Sequence, residues 1–249
     1  FWMCDDGMMS YKRYHEGRIV LGRVRVRGET TEVDIDDAIE AAALGLKAVA
    51  PGKLAVVLSA QHSNEDNLAL VTLAKELGTD RLYLAALGGW EGDTILRSDD
   101  NNPNRAGATL VAGRELPSVR DLLADVAAGQ IDGVLALGWA SAERAEELQP
   151  LARLQTLVSL TSNEGPLPRV AQVVIPVAGH AETFGTFVNR KGQAQQFKRA
   201  VFPLEGVRAG YETITLLARA LGREVPLGSL REVRAALPAP PPLVALETT

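Results

Sequence analysis

Lys53-Leu54-Ala55-Val56-Val57-Leu58-Ser59 is the stretch that decides the fold. It is too short for a buried helix and rich enough in β-branched residues to be a strand covered on both faces. Just upstream, Ile35, Ile39, Ala42, Leu46 and Val49 share one helical face, with Asp34 at the N-cap position and Pro51-Gly52 as the stop. Just downstream, Leu70, Leu73, Ala74 and Leu77 recur at i, i+3, i+4 and i+7 until Gly78. A buried strand between two amphipathic helices is the repeating unit of a parallel sheet.

The alternation continues outward. Further strands are expected at Arg81–Leu87, Gly133–Leu137, Thr156–Leu160 and Gln172–Val177, with helices at Val119–Val126 and Ala142–Leu154. This pattern predicts an α/β fold, a three-layer α/β/α arrangement around a mainly parallel sheet. The segment from Gly88 to Gly113 interrupts the rhythm with Gly, Asn and Asp, and is longer than an ordinary connection. After Gly179 the grammar changes again. Gly185-Thr186-Phe187-Val188 and Gln193–Phe197 flank Asn189-Arg190-Lys191-Gly192, which reads as a β-hairpin with Gly192 at a left-handed turn position. A helix bearing Ile214, Leu217, Ala218 and Leu221 follows, and residues 238–249 are Pro-rich and read as extended or disordered.

Composition narrows the function classes. The chain has 249 residues, 46% apolar and 23% charged, enough for a substantial core. Its net charge of -5 argues against a general nucleic-acid binder. The basic run Lys12, Arg13, Arg18, Arg23, Arg25 and Arg27 reads as a solvated strand edge or a protein-contact surface. The longest apolar region, Ala41–Ala60, is broken by Lys47, Pro51 and Lys53 and falls short of the ~20 residues of a membrane span. A single cysteine, Cys4, fits a reducing compartment, so a cytoplasmic location is expected. The chain begins with Phe1 and reads as if cut from something longer.

Several catalytic signatures are missing. There is no G-x-x-x-x-G-K-[ST] loop and no G-x-S-x-G elbow, and Gly88-Gly89-Trp90-Glu91-Gly92 lacks dinucleotide-fingerprint spacing. The three histidines, His15, His62 and His180, lie far apart without zinc-ligand spacing. Two polar segments remain. The loop from Gly92 to Ala108, with Arg97 and Arg105, could cradle an anionic or pterin-like ligand at the carboxyl ends of the strands, or dock on a neighbouring domain. The hairpin with Glu182 could hold a ligand or be structural, with Glu182 capping or pairing locally, for example with Arg190 or Lys191.

Three motifs carry a family resemblance. Trp2-Met3-Cys4-Asp5-Asp6-Gly7, followed by Tyr11-Lys12, resembles the stretch holding the fourth cysteine of an iron–sulfur domain in the G subunit of respiratory NADH dehydrogenase (complex I). Asn101-Asn102-Pro103-Asn104-Arg105-Ala106-Gly107-Ala108 resembles the NPNRAGA stretch of shortened bacterial forms of that subunit. Glu182, Gly185, Thr186, Phe187, Asn189, Gly192 and Gln195 are similar to the E-x-x-G-T-F-x-N-x-x-G-x-x-Q signature of the molybdopterin-oxidoreductase superfamily, and Asn64-Glu65-Asp66-Asn67 also fits.

The resemblance spans Phe1 to about Arg223 and implies a fold related to formate dehydrogenase. It implies the end of an iron–sulfur domain with linking strands over 1–33, a molybdopterin-oxidoreductase-like body over 34–225, and a C-terminal helix and tail over 226–249. Cys4 becomes one thiolate ligand of a 4Fe-4S cluster completed elsewhere. The matching cofactor-binding candidates are Asn104, Arg105, Gly107, Glu182, Gly185, Thr186 and Asn189. No further cysteine is present to ligate molybdenum, which argues against bound molybdopterin. The implied role is scaffold and electron transfer in an NADH:quinone oxidoreductase, cytoplasmic and peripheral to the membrane. The partners are the other subunits of the complex, with no nucleic acid and with membrane contact only through those subunits. The rival readings are a small molybdopterin-dependent oxidoreductase and a Rossmann-like ligand-binding module.

Overall fold

The computed structural model describes residues 9, 11, 14–88, 91–93, 98–139 and 145–239. Cys4, Arg97, the Gly89-Trp90 pair, the expected helix start at 142–144 and the tail from 240 onward lie outside the described residues.

The KLAVVLS stretch is β3 (Leu54–Ser59), all six of its residues buried. It follows β1 (Gly22–Val26), β2 (Glu29–Val33) and helix α1 (Ile35–Ala48). Next come α2 (Asn64–Glu76), β4 (Leu82–Ala85), α3 (Arg105–Ala112), α4 (Val119–Ala127), β5 (Gly133–Leu137), β6 (Thr156–Thr161), α5 (Pro166–Val170) and β7 (Val173–Pro176). The hairpin strands β8 (Gly185–Val188) and β9 (Ala194–Phe197) precede α6 (Gly210–Ala220) and α7 (Leu230–Ala236).

Seven strands form one sheet in the order β2-β1-β7-β6-β5-β3-β4, and the hairpin forms a separate two-stranded sheet. β4, β3, β5, β6 and β7 pair in parallel, while β1 pairs antiparallel with both β2 and β7. The fold is therefore the expected three-layer α/β/α arrangement with a mainly parallel sheet and a hairpin. The strands at 22–33 continue that sheet, and the basic residues Arg23 and Arg25 lie on β1.

Alternation along β3 explains the layers. Val56 and Leu58 face one core with α1, α2, α3 and α6, while Ala55 and Val57 face a second core with α4 and α5. A strand with apolar residues at every position can only be satisfied between two helical layers. The parallel strands reverse their winding between β3 and β5, so the crevice above these strands' carboxyl ends is a topological switch point.

Two elements differ from the sequence expectation. Residues Ala145–Arg153 form a 3₁₀ segment, not an α-helix, because Pro150 inside it has no N–H to donate and its ring crowds the preceding turn. The polar interruption at 88–113 contains α3, closed by Gly113 at φ 72°. The surrounding run of Asn and Asp hides its short apolar face, Ala108 and Val111.

Leu58 is fully buried and Leu44 is 74% exposed. Leu58→Ala is expected to cost about 3 kcal/mol of unfolding free energy in urea titrations, against less than about 0.5 kcal/mol for Leu44→Ala.

Candidate functional site

The amino end of α2 carries four polar residues in a row, and all four are buried. One helical turn of about 3.6 residues points in every direction, so such a run must turn polar groups towards the interior. Each residue fastens a different element. Asn64 Oδ1 accepts from Asn104 Nδ2 at 2.9 Å, at the start of α3. Glu65 accepts from the Thr186 backbone N–H at 2.7 Å and from Thr186 Oγ1 at 2.9 Å, both on β8. Arg234 of α7 approaches the same carboxylate at 3.4 Å. Asp66 Oδ1 accepts from the Tyr211 N–H at 2.8 Å, at the first turn of α6. Asn67 accepts from the Ser59 N–H at 2.9 Å and donates to the Ser59 carbonyl at 3.0 Å, closing the end of β3. Ser63 caps the helix by accepting from the Asp66 N–H at 3.1 Å and donates to Asp66 Oδ2 at 2.8 Å. At α1, by contrast, Asp34 occupies the N-cap position without a side-chain cap bond.

The sequence candidates fall into this network or beside it. Asn104 is fully buried. It donates to the His62 carbonyl at 2.7 Å and accepts from the Val188 N–H at 2.8 Å. Gly107 lies against Asn64 and Asn104, where a Cβ would stand 2.1 Å and 2.0 Å from their Oδ1 atoms. Gly185 is closed in the same way by Phe197 and Ser63. Thr186 is held by Glu65, as above. Asn189 accepts from the Lys191 and Gln193 N–H groups at 3.0 Å and 3.1 Å, which shapes the turn that Gly192 completes at φ 80°. Arg105 stands apart and more exposed, paired with Asp100 at 3.2 Å.

Glu182 pairs with Arg18 at 2.7 Å, both side chains buried, and accepts from the Gly179 N–H at 2.8 Å. The Gly179 bond is the local cap expected of Glu182, whereas Arg190, the local ion-pair partner expected for it, bonds Ser98 and Asp99 instead. The Arg18 guanidinium sits over the Tyr14 ring, 5.5 Å from its centroid.

Beside the network lies a cavity of about 620 Å³ at the carboxyl ends of β3, β6 and β7. Gln61 and His62 form one wall, Ser162 and Asn163 a second, Gly179 and His180 a third, and the Phe187–Phe197 pair covers it. Sequence spacing gave no reason to join His62 to His180, yet β3 and β7 end in the same crevice and bring them together. Burial lowers His62 to about 4, with the His180 charge adding to the effect. Burial also lowers His180. Both rings are neutral at pH 7. His62 Nδ1 lies 2.9 Å from Ser59 Oγ and its ring packs on Gly138, whose φ of 51° needs glycine. Burial and then the Glu182 charge push the Tyr14 phenol up to about 12. Among the described residues, no group of three or more His, Cys, Asp or Glu could hold a metal ion, and no helix is long and apolar enough to cross a membrane.

No protein-family model matches the chain. Among solved structures, acetylene hydratase from Pelobacter acetylenicus is similar, with a TM-score of 0.58 at 11% identity. The match covers 89% of this chain and 64% of that one, so the chain spans less than two-thirds of its neighbour's length. The likeness is one of fold.

Glu65→Ala strands the buried Thr186 N–H without an acceptor and is expected to cost about 3 kcal/mol in thermal or urea unfolding. Asp66 is raised to about 6, mainly by burial and against the Ser63 hydrogen bond. The folded state therefore holds this proton more tightly than the unfolded chain. Its contribution is fully present below about pH 4 and is lost as pH rises through about 6. His62 works in the opposite sense over a similar window, so the informative quantity is a difference between proteins. The stability of Asp66→Asn minus that of the wild type should grow by on the order of 2 kcal/mol from pH 4 to pH 7.

Proposed function

We propose that this chain is the molybdopterin-oxidoreductase-like body of a G subunit of a respiratory NADH dehydrogenase. In that role it is architecture beside an iron–sulfur electron path, not a catalyst by itself. One observation carries the reading: the buried residues of the NPNRAGA-like stretch and of the hairpin signature spend their polar atoms inside the chain, with the more exposed Arg105 as the exception. Asn104 is bonded to Asn64, His62 and Val188, Thr186 to Glu65, and Glu182 to Arg18 and Gly179. Gly107 and Gly185 are closed by neighbouring side chains. A pterin would find neither free donors nor a cradle at these buried positions, and the exposed Arg105 alone, already paired with Asp100, makes no site, so the residues do not fit that group.

The sequence resemblance supports the G-subunit assignment, and the fold shared with acetylene hydratase is compatible with it. Cys4 then supplies one thiolate to a 4Fe-4S cluster whose other ligands come from outside this sequence, since no second cysteine is encoded here. Soft sulfur suits iron, and burial and hydrogen bonding around the cluster would set its potential. The exposed face of the body would dock on other subunits of the complex at the cytoplasmic side, reaching the membrane only through them. The fold likeness to an enzyme favours a second reading, a small molybdopterin-dependent oxidoreductase.

The test uses the protein together with the thiols that complete the cluster. Cys4→Ala should remove one low-temperature EPR signal and about four irons per chain, with no molybdenum or tungsten by mass spectrometry. Unchanged iron and EPR would contradict the cluster role. Molybdenum or tungsten near one per chain would favour the enzyme.

A further inference from the structure

The cavity above β3, β6 and β7 is not used by the architectural role. We propose that it binds an uncharged one- or two-ring aromatic molecule, stacked on the Phe187–Phe197 pair with its polar edge towards His62. This inference is independent of whether Cys4 holds a cluster.

Size and shape come first. A volume of about 620 Å³ lies within the ~300–1,000 Å³ of small-molecule sites, which are concave, mostly apolar and supplied with a few convergent polar groups. The walls match that description. Phe187 and Phe197 lie 4.7 Å apart at a 44° tilt. Tyr14 stands edge-on to His180, with ring centroids 5.3 Å apart. Ala178, Ala181 and Ala200 leave room between these rings.

The charge of the ligand follows from what faces it. The described lining contains neither Lys nor Arg. Three histidines line the cavity, His15, His62 and His180, and burial lowers the last two. Asp66, the one carboxylate of the described lining, would repel an anion, and burying an anion without a counter-charge is costly. A cation finds Asp66 already accepting from Ser63 and Tyr211. Hydrogen-bonding capacity remains at His62. Ser59 Oγ accepts from the Gln61 N–H at 3.2 Å and lies 2.9 Å from His62 Nδ1. The other nitrogen of the neutral ring, Nε2, is a donor or an acceptor according to the tautomer, and a hydroxyl edge can meet it either way.

The test is calorimetric titration of the full chain with three naphthalenes that share one ring system. These are neutral 2-naphthol, anionic 2-naphthoate and cationic 2-(aminomethyl)naphthalene. Expected is a Kd for 2-naphthol on the order of 10–100 µM, a reasonable efficiency for a ligand of this size. Both charged analogues should bind at least ~10-fold more weakly. Val201 lies at the cavity mouth, 41% exposed, so Val201→Trp can block the cavity without disturbing the core. It should weaken 2-naphthol at least ~10-fold while leaving the melting temperature within a few degrees. The proposal is overturned if 2-naphthol does not bind at millimolar concentration, if a charged analogue binds as well, or if a folded Val201→Trp protein binds it unchanged.

Discussion

A buried carboxylate, Glu65, holds the two unlike parts of this molecule together. It is fully buried in the first turn of α2 and receives two hydrogen bonds from Thr186 on the hairpin. Together with the Val188 N–H bond to Asn104, they tie to the body a hairpin whose strands β8 and β9 form their own small sheet. An isolated two-stranded hairpin is marginal in water. Charge-assisted bonds inside the protein, each stronger than an ordinary amide pair, anchor it to the α/β body. The position suits a negative charge because the amino end of a helix presents unpaired N–H groups and a partial positive charge.

The neighbours of Glu65 extend the same device. Asn64, Asp66 and Asn67 fasten α3, α6 and the end of β3. One helical turn thus sets the positions of elements that lie far apart in the chain. The arrangement requires close backbone approach, which explains Gly210 as well as Gly107: a Cβ on Gly210 would stand 2.7 Å from Asp66 Oδ1. At Asp66 burial, helped by the neighbouring Glu65, outweighs the hydroxyl and backbone bonds that favour the ionised form, so its proton is held unusually tightly. The network also shapes the cavity next to it. Ser63 and Asp66 belong to both, and the hairpin that Glu65 anchors supplies the Phe187–Phe197 cover.

The layered fold was legible because its signals are local. KLAVVLS is apolar at nearly every position, and the helices on either side keep a clean 3.6-residue period. The hairpin was legible from Gly192 and its flanking runs. What escaped notice depends on contacts across long separations. Arg18 and Glu182 are 164 residues apart, and Glu65 and Thr186 are 121 apart. No spacing rule links such pairs, and local chemistry suggested Arg190 or Lys191 for Glu182 instead. The joining of His62 and His180 followed only once the strand order was known. One signal was available: four polar residues fill a complete turn at 64–67, so some must face the core. Read as a family motif, the same run says where the resemblance lies but not that each side chain has its own structural partner.

The central claim is that the signature hairpin is fastened from within by α2. Amide hydrogen exchange of Thr186 and Val188 tests it most directly, because Glu65 and Asn104 accept from these two N–H groups. Both amides are expected to be protected as deeply as those of β5, exchanging only on global unfolding. Exchange of both amides within minutes, while β5 stays protected, would contradict it.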